Sequence, residues 1–394
     1  MAGHQLAGEV STDERQTKPR FTALRPGTTA CALLVLIAWS TNLLQTRTGP
    51  SDGLVSEVHP WPQADVLFHQ DTRWLGADGA SSIDLGNGNT LWLFGDTFVG
   101  TSPGEVRWQS TLVRNTIAIQ EGDDPSRARM TFAWRSQEGR PASFFPDTDT
   151  SWYWPGHGIR LDSTLIVFLM KIHRAEGGLG FYAFGWTAVV IRQPDRDPLS
   201  WKVEAASTAE DAWGVIIGSA TVMRMGDYVY AFGAEEPAVH NIFIVRWPLD
   251  AARRGDLSEP AWWSSADSAW IVQTRLQRKP VPLFTGGATE FSVHRVPETG
   301  TFIQVQPIGF GAATFGYRTA PRITGPWSEL TEFYRPPEMH RPDIMIYALK
   351  LHPHLRGDGL IATYATNTFS LSELVTDQSL YYPRVLRLRL TSSR

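Results

Sequence analysis

Three carboxylates stand where a sequence built for packing has little use for them. Asp78 lies in Gly76-Ala77-Asp78-Gly79-Ala80, Asp96 in Phe94-Gly95-Asp96-Thr97-Phe98, and Glu290 in Gly286-Gly287-Ala288-Thr289-Glu290-Phe291. Glycines on both sides let the chain turn tightly at Asp78 and leave its carboxylate uncrowded; the same surroundings suit an Asp that only caps a turn. Asp96 ends an aromatic run, where a carboxylate is costly unless paired or wet. Glu290 leads from a Gly-rich turn into an apolar strand. Partial burial there would raise its pKa, as a general acid working near neutrality needs. Glu235, in Phe232-Gly233-Ala234-Glu235-Glu236, repeats the register of Asp96; a shared structural bond explains it as well as a second pocket wall does. His157, in Trp154-Pro155-Gly156-His157-Gly158, suits substrate binding, metal ligation or a satisfied loop. His340, His352 and His354 lack zinc-type spacing and read as solvated loop residues.

Aromatic residues are the second chemical signal. The chain has 16 Trp, and several, Trp74 and Trp154 among them, fall near predicted turns rather than inside strands. Indole faces stack on sugar rings, although most of these rings are expected to pack the core. Two carboxylates facing each other across a cleft with aromatic walls are the minimum for glycoside hydrolysis. One protonates the leaving oxygen, and the other activates water or attacks the anomeric carbon. Gly-x-Ser-x-Gly elbows, Walker loops and GxGxxG followed by a helix are absent, so esterase, ATPase and dehydrogenase readings have no support. The single cysteine, Cys31, excludes an intramolecular disulfide and a Cys-based zinc site. No cofactor and no metal site is expected.

The elements that must position these residues recur along the chain. Each unit is an apolar strand, a turn and a second, aromatic-rich strand. The units run Ser81 to Thr97, Gly158 to Ile172, Ser219 to Glu235, Glu290 to Gln306 and Ile346 to Thr366. Their turns fall at Gly86-Asn87-Gly88-Asn89, Asp162-Ser163, Gly226-Asp227, Pro297 to Gly300 and Gly357-Asp358-Gly359. The spacing leaves room for four strands per unit, which predicts an all-β, five-bladed β-propeller over residues 66–394. A β-sandwich or two small β domains is the competing arrangement. Polar residues leading into equivalent strands of different blades would then converge on a central funnel.

Composition agrees with a globular β-rich chain. Of 394 residues, 42% are apolar and 19% charged, and 34 Gly and 26 Pro suit many short strands joined by tight turns. A net charge of -4 leaves no basic excess for a nucleic-acid partner. Residues 1–44 read as a targeting segment. Arg15, Lys18, Arg20 and Arg25 precede the uncharged run Ala30 to Trp39, as in a signal peptide. Residues 29–44 are the alternative, a single uncleaved membrane anchor. Either places the body of the protein outside the cytoplasm, secreted or in the periplasm and cell envelope. Residues 45–65 read as a linker. Oligomeric state leaves no mark in the sequence.

The string Gly76 to Ser81 with Thr90-Leu91-Trp92-Leu93-Phe94-Gly95-Asp96-Thr97-Phe98 resembles the bacterial family called domain of unknown function 4185. So do Trp152-Tyr153-Trp154-Pro155-Gly156, Tyr317-Arg318-Thr319-Ala320 and Thr324-Gly325-Pro326-Trp327-Ser328. That family is similar to the five-bladed propellers of glycoside hydrolase family 43, and some of its members are endo-D-arabinanases. The resemblance implies a polysaccharide substrate, arabinan-like and rich in furanose rings. It implies Asp78 as base or nucleophile, Glu290 as general acid and Asp96 as a supporting carboxylate. Trp74, Trp154, His157, Glu235, Tyr317 and Arg318 would then bind substrate around the funnel. One departure matters: such propellers usually carry a helper Asp leading into the second or third blade. Here those positions read Pro155-Gly156-His157-Gly158 and Ile216-Ile217-Gly218-Ser219-Ala220. A propeller that binds glycans without cleaving them is the second reading, and a structural or protein-binding propeller the third.

Overall fold

The structure is a computed structural model that describes residues 54–148, 150–210, 213–237 and 239–391. The targeting segment expected over residues 1–44 lies outside the described residues. Among the described residues, no helix is long and apolar enough to cross a membrane.

The described chain is all-β apart from short helical turns. All five turn-linked strand pairs read from the sequence are present. Each opens or closes an antiparallel sheet of four or five strands. Sheet one joins Ser81–Gly86, Asn89–Phe94, Thr116–Glu121 and Arg129–Ala133. Sheet two joins Ser151–Leu161, Thr164–Arg174, Phe181–Ile191 and Val203–Ala205. Sheet three has Val215–Met225, Tyr228–Glu235, Ile242–Pro248 and then a further hairpin, Ala261–Ser264 with Ala269–Val272. Sheet four joins Ser292–Arg295, Phe302–Ile308, Thr314–Ala320 and Thr331–Tyr334. Sheet five joins Ile344–Leu351, Leu360–Thr368 and Arg384–Leu390.

Sheet five takes its fourth strand from the other end of the chain. Val55–Pro60 pairs antiparallel with Arg384–Leu390, Val58 opposite Leu388 and Pro60 opposite Leu386. This corrects the linker expected over residues 45–65: from residue 55 the chain is part of the fold. Its alternation is blurred by Glu57, His59 and Pro60, so nothing local marks it as a strand. It caps the exposed edge of the last strand, which would otherwise offer unpaired backbone groups to another chain.

The core divides into five apolar layers, each between two consecutive sheets. Phe168, Trp186 and Trp247 are buried between sheets two and three, and Phe232, Phe291 and Val293 between three and four. Phe315, Tyr317 and Leu386 fill the space between sheets four and five. Trp74, Trp92, Ile361 and Val385 join five back to one, and Leu91, Leu165 and Val167 join one to two. Thr164–Arg174 is buried at its first seven positions, as expected of a strand covered on both faces. The first strands approach closely at the centre. Gly218 shows why glycine is needed there: its φ is +78°, and a Cβ would lie 2.3 Å from the Phe168 ring.

Candidate active site

Asp78, Asp96 and Glu290 come together at one end of the five lead strands. Asp78 sits between Trp74–Ala77 and Ser81–Gly86, where Gly79 and Ala80 both adopt positive φ. Its backbone carbonyl accepts from Ala80 N at 3.1 Å and Gly95 N at 3.0 Å, which fixes the tight turn. Gly95 must be small, because a Cβ there would lie 2.4 Å from Asp78 Oδ1. Oδ2 accepts from the Tyr347 hydroxyl at 2.6 Å and the Tyr381 hydroxyl at 3.3 Å. Burial, then the negative charges of Asp96 and Glu290, push the Asp78 carboxyl up to about 7 against the pull of the two phenols. Both phenols are held well above their ordinary value, by burial first and then by Asp78, so they stay donors.

Asp96 follows the end of Asn89–Phe94. Its Oδ2 accepts from Arg114 Nη1 at 3.0 Å and its Oδ1 from Trp154 Nε1 at 2.8 Å. Burial raises its pKa while Arg114 opposes the rise. The Arg114 guanidinium is itself stacked 4.3 Å from the centre of the Trp152 ring. Glu290 leads into Ser292–Arg295, and its Oε1 accepts from Lys350 Nζ at 2.6 Å. The same ammonium donates to Ser81 Oγ at 2.9 Å, so one buried lysine of sheet five ties Glu290 to sheet one.

Tyr347 and Lys350 lie three apart on one strand and would ordinarily point to opposite faces. A bulge corrects this. The pairing with Leu360–Thr368 slips between Tyr347 and Lys350, and Ala348 takes φ +54°. An extra residue in one strand re-aims the side chains around it. Both polar groups therefore serve the same site. Neither was expected from sequence, although a lysine inside Ile344–Leu351, among apolar neighbours, was the signal. Arg114, Tyr381 and Asn367, which donates to the Tyr347 hydroxyl at 3.1 Å, were also unforeseen.

His157 lies further along the lead strands. Its Nδ1 accepts from Val222 N at 3.2 Å, and burial followed by the Lys350 charge pushes it down to about 3. Burial likewise lowers His294 to about 3 and His354 to about 4. His352 is buried between Ser82 Oγ, at 2.5 Å, and Thr363 Oγ1, at 2.8 Å. The solvated-loop reading of His352 and His354 is thus corrected: His352 is buried and His354 half-buried, and burial lowers the pKa of each. Among the described residues, no group of three or more His, Cys, Asp or Glu is placed to hold a metal ion.

Trp154 joins the carboxylates through Asp96, but four expected substrate contacts are structural. Trp74 is fully buried, stacks on Phe132 and donates its indole N–H to Thr116 Oγ1 at 3.1 Å. Tyr317 is buried between sheets four and five, and its hydroxyl accepts from Leu54 N at 2.9 Å. Arg318 is buried and donates to the Ser328 and Thr285 carbonyls at 2.9 and 3.3 Å. Glu235 is paired with Lys279 at 2.6 Å and accepts from Asn241 at 2.8 Å; burial raises its pKa, but these two partners outweigh it and leave it low.

Among solved structures, a Bacteroides ovatus ATCC 8483 protein provisionally named a hydrolase matches at TM-score 0.67 and 15% identity. The match covers 84% of this chain and 90% of that one, and it shows a shared fold. An alpha-L-arabinofuranosidase from Lactobacillus brevis matches at TM-score 0.45 and 14% identity over 82% of this chain and 92% of its own. An endo-arabinase from Bacteroides thetaiotaomicron VPI-5482 matches at TM-score 0.43 and 12% identity, over 82% and 98%. No curated protein matches in sequence. Membership of domain of unknown function 4185, which the strings around Asp78 and Asp96 resemble, is not shown. The family model that matches, over residues 63–388, is Domain of unknown function (DUF5005), and the chain belongs to that family.

Proposed function

We propose that the five sheets are the blades of a five-bladed propeller and that Asp78 and Glu290 hydrolyse glycosidic bonds at its mouth. The substrate proposed is a furanose-containing polysaccharide, arabinan-like, met outside the cytoplasm. The observation that carries this reading is the convergence of three carboxylates, with Asp78 pushed up to about 7 among them. An acid or base is most effective when its pKa lies near the working pH. Asp78 is poised to give a proton to the leaving oxygen. Glu290, ion-paired with Lys350, is the carboxylate that activates water or attacks the anomeric carbon. These roles are the reverse of those the resemblance implies. Asp96, held by Arg114 and Trp154, lies beside Asp78 and contributes to its raised pKa. It stands in for the helper acid missing from sheets two and three.

The test is release of reducing ends from arabinans, arabinogalactan and other furanose polymers by the full chain. Asp78→Asn and Glu290→Gln are each expected to lose about 100-fold or more. An aryl furanoside with a good leaving group separates the roles, since it needs little acid help. Asp78→Asn should retain most of its activity on that substrate and Glu290→Gln should not; the opposite pattern restores the roles implied by resemblance. Binding to a polymer without turnover would replace hydrolysis with the glycan-binding reading.

A further inference from the structure

We propose that the opposite end of the lead strands carries a second binding site, for a saccharide bearing a negative charge. Asp78 and Glu290 precede the lead strands of sheets one and four, and Tyr347, midway along the lead strand of sheet five, reaches Asp78. The last residues of Val215–Met225 and Ser292–Arg295, with Pro353 just beyond Ile344–Leu351, line a cavity of about 790 Å³ at the other end. That volume suits one or two sugar rings.

The lining has a single sign of charge. Arg224, Arg295 and Arg322 reach the cavity, and no Asp or Glu lines it. Among the described residues none of the three arginines forms an ion pair; Arg224 and Arg295 donate Nε to the carbonyls of Gly226 and Gly300, at 3.4 and 3.3 Å. Three unpaired guanidiniums are unexpected in a chain of net charge -4. Their planar forks match a carboxylate or phosphate. His294 supplies an independent sign of a ligand. It lines the cavity, is 9% exposed, and its Nε2 is buried with no hydrogen-bond partner. A buried polar nitrogen is expensive to leave unpaired, and this one belongs to a residue of the cavity wall.

The opposite wall is aromatic. Trp263 and Trp270, 5.4 Å apart between ring centres, line it with Tyr230. Both tryptophans come from the hairpin that gives sheet three its fifth strand, an addition that the other four main sheets lack. Aromatic faces take the apolar side of a sugar ring, and the arginines take its anionic group. A neutral sugar is a poor fit, because its hydroxyl donors would meet no carboxylate acceptor. That the anion is carried by a saccharide rests on the glycosidase reading above; the cationic, aromatic site does not.

The test uses the full-length Glu290→Gln protein, so that cleavage cannot interfere, and calorimetric titration with tetragalacturonate, glucose 6-phosphate, arabinotetraose and inorganic phosphate. Binding of either charged sugar, weaker at high salt and about tenfold weaker in Arg295→Gln and in Arg322→Gln, is expected. Trp270→Ala should also weaken it, with unchanged circular dichroism showing that the fold is kept. Arabinotetraose binding that falls as far in the two arginine variants as charged-sugar binding does, charged-sugar affinity that survives both arginine changes, phosphate alone binding as well as the charged sugars, or no binding of a charged sugar would each overturn the proposal. Hydrolysis by the wild type is scored separately, so either reading can fail while the other stands.

Discussion

At the residue scale, Asp78 ties the proposed activity to instability. Its carboxyl moves from 3.8 to about 7 on folding, through burial and the charges of Asp96 and Glu290. Between those values the folded chain holds a proton that the unfolded chain has lost. The stabilising contribution of this group is therefore full below about pH 4 and is lost as pH rises through 7. Asp78→Asn removes the buried charge. Thermal melts at pH 8 should show the variant about 2–4 °C more stable than wild type, and the gain should vanish near pH 4. An equal gain at both pH values would mean that Asp78 is not raised. Asp78, Asp96 and Glu290 were legible in the sequence because a carboxylate beside glycines or at the end of an apolar run has no packing use. Tyr347 and Lys350 were not, since only the bulge at Ala348 turns them to one side. Trp74, Tyr317 and Arg318 misled for the opposite reason. Their types suit sugar binding, but burial decides what an aromatic ring or a guanidinium does, and burial depends on which sheet lies opposite.

At the scale of elements, the turns carried the information. Gly, Asn and Asp at the five hairpins marked where strands reverse, and the strand pairs lie where those turns place them. Val55–Pro60 stayed hidden because its partner lies more than 300 residues away and its own alternation is poor. Its role is testable by deleting residues 54–60. The variant should melt lower and aggregate, because Arg384–Leu390 becomes an open edge with Leu386 and Leu388 uncovered. Unchanged melting and solubility would show that the closing strand is dispensable. Gly218→Ala addresses the centre instead. The added methyl meets Phe168 and must adopt positive φ, so a loss of at least about 2 kcal/mol is expected in denaturant unfolding. A loss under about 0.5 kcal/mol would show that the lead strands can separate there at little cost.

At the scale of the whole molecule, five apolar layers hold the described residues together without a covalent staple. No cysteine lies among residues 54–391, so the melting temperature of this part should not respond to a reducing agent. Lys350, the one buried ammonium among the described residues, has a larger consequence. Its Nζ holds Glu290 of sheet four and Ser81 of sheet one while its own strand belongs to sheet five. It works as a keystone: three segments far apart in the chain meet on a single atom. Lys350→Met leaves Glu290 without its partner and is expected to cost about 3 kcal/mol. The arrangement also forbids a half-open yet competent form, because parting sheet five from sheet one or four dismantles the carboxylate site at that moment. Heat should therefore extinguish the proposed activity and β-structure along one curve.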